Sequence, residues 1–263
     1  MSRALAARLA TATALIAAFL AALFLLPKLW LAVLVALIVA AGGFEWARLC
    51  RLRGPAAWVY AALVGAAFTA LFAIGDSAAR PALVTAAVFW LLAAPLWLAR
   101  GVGMQHRTAL VLSGFVVLVP AGLALAALPP LKVLAVLVLV WIADTAAYFV
   151  GRTWGRRKLA PSISPGKTWE GAAGGVLGAL AYAIICGGFV GGAAWLALVG
   201  GAALLAVLSI VGDLFESAAK RQAGVKDSGT LLPGHGGILD RIDSATATLP
   251  LAALLLPWMR ANA

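Results

Sequence analysis

The sequence predicts an all-α, polytopic integral membrane protein of about nine transmembrane helices with a cytoplasmic N-terminus. Composition is the first reason: of 263 residues, 64% are hydrophobic and 11% charged, with a mean hydropathy of +1.05. A soluble domain carries roughly 25% charged residues. Run length is the second. Apolar stretches repeatedly reach the roughly 20 residues that a helix needs to cross hydrocarbon, and a helix satisfies its own backbone hydrogen bonds there. Charge asymmetry is the third. With spans near 4–26, 29–47, 56–74, 82–99, 108–128, 131–150, 171–190, 193–215 and 243–259, sixteen of the 20 Lys and Arg fall on the side of the N-terminus, a strong positive-inside pattern.

Residues 1–130 supply about five of these helices, and residues 131–263 about four, with the polar loops between them. The net charge of +11 is therefore a topology signal before it is a partner signal. It points to anionic headgroups or nucleotides, not to nucleic acid. Cys50 and Cys186 are too few and too scattered for a zinc site or a disulfide framework and read as packing residues. The first run is long for a cleaved signal sequence and is followed at once by another span, so it reads as an uncleaved helix.

Spans one to five carry few polar side chains. Glu45, near the cytoplasmic end of span two, is placed to pair with Arg48 one turn on. His106 reads as a solvated loop residue, and Asp76 as part of a turn on the far side. Span six differs, because Asp144 lies about two turns inside its cytoplasmic end, where an ionised carboxylate is costly and by default marks a site. Tyr148 shares its face at i+4.

The following loop reads GRTWGRRKLAPSISPGKTWEG. Gly166-Lys167-Thr168 invites comparison with a P-loop, but Pro161 stands where that pattern needs Gly, and there is no βαβ context. Ser164, Lys167 and Thr168 remain as two hydroxyls and an ammonium in a turn that opens a helix, a place that favours phosphate. Helix capping would account for either hydroxyl without a ligand. Span seven begins with two overlapping GxxxG patterns, Gly171/Gly175 and Gly174/Gly178, which predict close helix packing against a neighbour in this chain or another.

Span eight ends VGDLFESAAKRQ, so that Asp213, Glu216, Ser217 and Lys220 share one face if the helix continues past the interface. Ser217 to Asp243 then packs three carboxylates, four Lys or Arg and His235 between two apolar runs. Asp240 and Asp243, three apart, share a face of a helix starting near Gly237, with Arg241 turned away. Asp213, Asp240, Asp243 and Asp144 can converge at one mouth, and carboxylates without Cys or clustered His suit Mg²⁺. Lys167, Lys220, Arg221, Lys226 and Arg241 surround them, an arrangement for polyphosphate. Gly234, Gly236 and Gly237, around His235, offer backbone N–H groups to a phosphate. Ser217 lacks a His and acid at triad spacing. A transporter with a midplane ion site competes with a membrane phosphotransferase; charges gathered at the interface favour the enzyme.

Ser217-Ala218-Ala219-Lys220-Arg221, Lys226-Asp227, Gly229, Leu232-Pro233, His235-Gly236-Gly237-Ile238 and Asp240-Arg241-Ile242-Asp243 together resemble the signature of the phosphatidate cytidylyltransferase, or CDP-diacylglycerol synthase, family. Only Ala219 departs from it, where the pattern has a larger apolar residue, a change expected to touch packing alone. Asp144 with Tyr148, SPGKTWEG, and Gly212-Asp213 with Glu216-Ser217 are similar to further motifs of that family, so specific similarity spans about 140–245. The resemblance implies condensation of CTP with phosphatidate to CDP-diacylglycerol and pyrophosphate in the cell's inner (plasma) membrane, with the site facing the cytoplasm. It also implies Mg²⁺, often with K⁺ as a second cation, and a homodimer. A relative acting on another lipid phosphate would share every motif. The metal set implied is Asp213 and Asp240, with Asp144 and Asp243 beside them. The reacting set is Lys167, Lys220, Lys226, Asp227, His235 and Arg241, and Ser164, Thr168, Ser217, Arg221, Gly236 and Gly237 line the substrate phosphates.

Overall fold

A computed structural model describes residues 3–188, 194–231 and 236–261 of the chain. The helices are α1 (Arg3–Leu25), α2 (Lys28–Leu49), α3 (Pro55–Ile74), α4 (Asp76–Val88), α5 (Ala94–Arg100), α6 (Arg107–Ala127), α7 (Pro130–Trp154), α8 (Trp169–Gly187), α9 (Ala194–Ala223) and α10 (Leu239–Ala261). A π-helical turn, Phe89–Ala93, joins α4 to α5 into one rod. Among the described residues, seven helices are long and apolar enough to cross a bilayer. The described apolar stretch Thr13–Leu25 of α1, and α10, lie where the sequence predicts the first and ninth spans.

The bundle is organised around α6, whose spanning window is 67% buried, against 39% or less for each of the other six candidate spans. Two polar tips reach it from neighbouring helices. Trp46 Nε1 donates to Leu110 O at 2.8 Å, and Tyr60 Oη to Val111 O at 2.6 Å. Gly114 makes this approach possible, since a Cβ there would lie 2.5 Å from Trp46 Cδ1. Outward, Leu29, Trp30, Leu37, Trp58, Leu63, Ile185 and Leu196 are each more than half exposed. So broad an apolar surface suits lipid and not water.

Both GxxxG patterns of α8 face α7 of the same chain. A Cβ on Gly175 would stand 2.9 Å from Ala143 O, one on Gly171 2.8 Å from Ala147 O, and one on Gly174 2.5 Å from Val150 Cγ2. The seam between α9 and α10 is equally close, because a Cβ on Gly212 would meet Asp243 O at 2.7 Å. Phe215, fully buried on α9 between Asp213 and Lys220, packs among Trp46, Phe89, Trp90 and Trp97 at ring separations of 5.3 to 6.1 Å. This cluster fixes the rotation of α9, and with it the face carrying Asp213 and Lys220.

The loop between α7 and α8 forms an antiparallel hairpin, β1 (Lys158–Ala160) and β2 (Ser164–Thr168), pairing Lys158 with Thr168 and Ala160 with Ser164. The sequence predicts a turn here, and the structure adds a short β-pairing to it. The hairpin is stable at an exposed site because its ends are tied. The Glu170 carboxylate accepts from Arg156 N and Arg157 N, at 3.0 and 3.2 Å, and Arg221 Nε donates to Ile163 O.

Candidate active site

Three helices and the hairpin wall a cavity of about 670 Å³, lined by Asp144, Tyr148 and Arg152 of α7, Lys158, Ser164 and Lys167 of the hairpin, and Asp213 of α9, with Gly171 of α8 at its edge. Lys167 Nζ lies 2.6 Å from Asp213 Oδ2, and both side chains remain about a quarter to a third exposed. Ser217 Oγ donates to Asp213 Oδ1 at 3.1 Å. Asp144 is within electrostatic reach of both Lys167 and Asp213, and Arg152 Nη1 donates to Tyr148 Oη at 2.9 Å. Short strands, the β1–β2 pairing and the glycine contacts of α8 on α7 hold these groups from three directions, so charge is placed here by the scaffold and not by one flexible loop.

A second assembly lies about two turns further along the same face of α9. Lys220 Nζ is 2.6 Å from Asp240 Oδ1 and 3.1 Å from Glu216 Oε1, with all three side chains no more than 11% exposed. Asp240 Oδ2 accepts from Gly237 N at 2.8 Å, Ser228 N at 2.9 Å and Ser228 Oγ at 3.0 Å. Gly236, at φ +80°, turns the chain so closely over this carboxylate that a Cβ would stand 2.6 Å from Oδ2. Asp243 lies between the two assemblies, within electrostatic reach of Asp213, Lys167 and Lys220.

A further cavity of about 950 Å³ opens between the end of α2, the α2–α3 loop and residues 225–230, and carries Arg48, Arg51, Arg53, Lys226 and Asp227.

The sequence model of the cytidylyltransferase family matches residues 6–259. The chain belongs to the cytidylyltransferase family. It is 44% identical to the phosphatidate cytidylyltransferase of Pseudomonas aeruginosa over 261 residues, 95% of this chain and 96% of that one. Identity to the phosphatidate cytidylyltransferase of Haemophilus influenzae is 36% over 278 residues, 92% of this chain and 95% of the other. A protein of the same name from Brucella suis is 50% identical over 115 residues, 44% of this chain and 43% of its own.

Several expected site residues meet, and others do not. Asp144, Ser164, Lys167 and Asp213 share the first cavity, as the sequence predicts. The expected metal set of Asp213, Asp240, Asp144 and Asp243 does not close around one point. Among the described residues no three His, Cys, Asp or Glu gather closely enough to hold an ion, because Asp213 is drawn to Lys167 and Asp240 to Lys220 and two backbone amides. Gly237 N–H, expected to face phosphate, is one of those amides, and Gly236 serves the same turn.

Thr168 caps α8, accepting from Gly171 N at 3.1 Å, which is the capping alternative. Ser217 bonds Asp213, and Arg221 bonds Ile163 O and Val225 O, so Arg221 braces the hairpin. Lys226 and Asp227 face the basic cavity, away from Asp213. Arg241 is among the residues lining an apolar pocket with Phe19, Trp141 and Leu249. His235 lies outside the described residues.

Sequence reasoning missed Arg152, Lys158, Glu170 and Ser228. It also misplaced Glu45, which is 5% exposed and turns inward to Ser228 Oγ, Ile238 N and Leu239 N. The signal was available: Glu45 is the one carboxylate in span two, and an intramembrane carboxylate is by default a site.

Proposed function

We propose that this chain is a phosphatidate cytidylyltransferase, joining CTP to phosphatidate and releasing pyrophosphate. The observation that carries the reading is the Asp213–Lys167 contact of 2.6 Å in a cavity that also holds Asp144, Arg152 and Lys158. The substrates are taken from the names of its full-length relatives. A phosphate monoester is largely dianionic near neutral pH, with a second pKa of about 6, so the phosphatidate oxygen needs little help from a general base. That oxygen forms a bond to the α-phosphorus of CTP as the bond from that phosphorus to the β-phosphate bridging oxygen breaks, and pyrophosphate carries off the electron pair. Lys167, Lys158 and Arg152 hold the phosphate charge, which is most of what such a transfer requires.

The donor set fits Mg²⁺, which is commonly bound through one or two carboxylates plus substrate phosphates and water. Asp213 and Asp144 stand at the cavity and would hold the ion, whereas Asp240 is engaged by Lys220, Gly237 N and Ser228. When bound, the ion would supply positive charge that offsets the negative charge of the phosphates. K⁺ as a second cation and a homodimeric assembly belong to the same proposal and rest on the family resemblance. The sixteen basic residues on one side support a cavity facing the cytoplasm in the inner membrane. Reporter fusions after Arg157 and at the C-terminus should then report opposite sides.

The test is pyrophosphate release by the purified chain with CTP, phosphatidate and Mg²⁺, against each omission and against other lipid phosphates. Release that needs all three supports the reading. Equal release without lipid, or preference for a different lipid phosphate, overturns it.

A further inference from the structure

We propose that Glu45 is a positioning residue for this reaction, clamping Ser228 and the start of α10 so that Asp240 is held toward Lys220. The proposal rests on the reading of the reaction given above. Glu45 lines neither the cavity of Asp213 nor the basic cavity. Its carboxylate is nonetheless buried and fully used: Oε1 accepts from Ile238 N at 3.0 Å, and Oε2 accepts from Leu239 N and Ser228 Oγ, each at 2.9 Å. All three donors belong to the segment that carries Asp240, and none to a neighbour of Glu45 on α2. Two are amides at the N-terminus of α10, where unpaired N–H groups and the helix dipole favour an anion.

Ser228 links this clamp to the site, because its backbone N and its hydroxyl both lie within 3.0 Å of Asp240 Oδ2. A hydroxyl has one proton and donates to one carboxylate at a time, so Glu45 and Asp240 bracket a single shared donor. The chain of contacts runs Glu45, Ser228, Asp240, Lys220, Glu216, from α2 to α9. The loop crosses the carboxylate closely at two glycines, since a Cβ at Gly229 or Gly237 would meet the Glu45 carboxylate and displace it from its donors. An apolar side chain at 45 would fill the space more cheaply in a membrane protein, but would leave the α10 amides and Asp240 without this hold. A Gln at 45 fails for a specific reason. Both oxygens accept, so its NH₂ must face an N–H or O–H donor.

The experiment uses the full chain in detergent, with Glu45→Gln, Glu45→Asp, Ser228→Ala and the Glu45→Gln/Ser228→Ala double variant. Expected for Glu45→Gln are a kcat at least tenfold lower, a KM for CTP within twofold, a half-saturating Mg²⁺ concentration raised at least threefold, and faster hydrogen exchange at Ile238 and Leu239. Glu45→Asp should recover part of the kcat. Ser228→Ala should move the same quantities less, and the double variant should be no worse than Glu45→Gln, since both act through one contact. Parent-like kinetics for Glu45→Gln, multiplicative losses in the double variant, or a loss of melting temperature alone would overturn the proposal. Should Glu45→Gln fail to fold, Ser228→Ala decides by the same kinetic and exchange criteria. If the parent releases no pyrophosphate, the reading of the reaction falls, and unchanged exchange at Ile238 and Leu239 in Glu45→Gln would separately refute the clamp.

Discussion

Lys220→Met is the substitution whose cost follows most directly from the structure. The ammonium stands between Asp240 Oδ1 and Glu216 Oε1, and the Lys220, Asp240 and Glu216 side chains are 11%, 8% and 5% exposed. Methionine keeps the volume of the stem and removes the charge, leaving two buried carboxylates with a shared negative environment. Breaking a buried pair in this way costs about 3–5 kcal/mol, and about 2–4 °C of melting temperature goes with each kcal/mol in a chain of this size. A drop of at least about 6 °C is therefore expected. Lys167→Met removes an equally short contact, but one whose side chains are 26% and 31% exposed, worth about 1 kcal/mol or less to stability. Melting followed by the fluorescence of the ten tryptophans separates the two. If Lys220→Met melts within about 2 °C of the parent, or falls no further than Lys167→Met, the buried triad does not stabilise the fold as argued.

Other outcomes follow from particular contacts. Gly174→Leu drives a side chain into Val150 across α7–α8; overpacking of this kind costs about 1–3 kcal/mol and should lower both melting temperature and pyrophosphate release. Gly200→Ala, with no atom within 4 Å of the new Cβ, should change neither. Arg221→Ala frees the hairpin turn at Ile163, and protease cleavage between β1 and β2 should quicken while melting changes by only about 2 °C or less. Cys50 is fully buried, and burial pushes its thiol up to about 12, so maleimide should label it only after denaturation.

How much of this was legible in the sequence depends on range. Helix positions, the close packing implied by GxxxG and the shared face of Asp213, Ser217 and Lys220 are local periodicities, and the structure reproduces them. The signature from Ser217 to Asp243 located the polar assembly, and SPGKTWEG placed Lys167 beside it. What could not be read was which oppositely charged groups would meet. Lys167 reaches Asp213 across a hairpin that no alternation announced, since its strands are three and five residues long. Lys226 lies near Lys220 in sequence, yet the turn at Gly224, φ +79°, sends it to another cavity. Glu45 was assigned to its sequence neighbour Arg48, whereas its partners lie 183 to 194 residues away. Local spacing finds local pairs; a buried carboxylate takes whatever donors the fold supplies.

The central claim is that Asp213 and Lys167 mark the place of the chemistry, and Asp213→Asn tests it most directly. The partly exposed contact contributes about 1 kcal/mol or less to stability, so the variant should purify and melt within about 4 °C of the parent. Transfer of radiolabelled cytidine monophosphate from CTP to phosphatidate, measured with Mg²⁺ at saturating substrates, should fall by about 10²-fold or more. A well-folded Asp213→Asn protein that transfers the label at the parental rate would contradict the account.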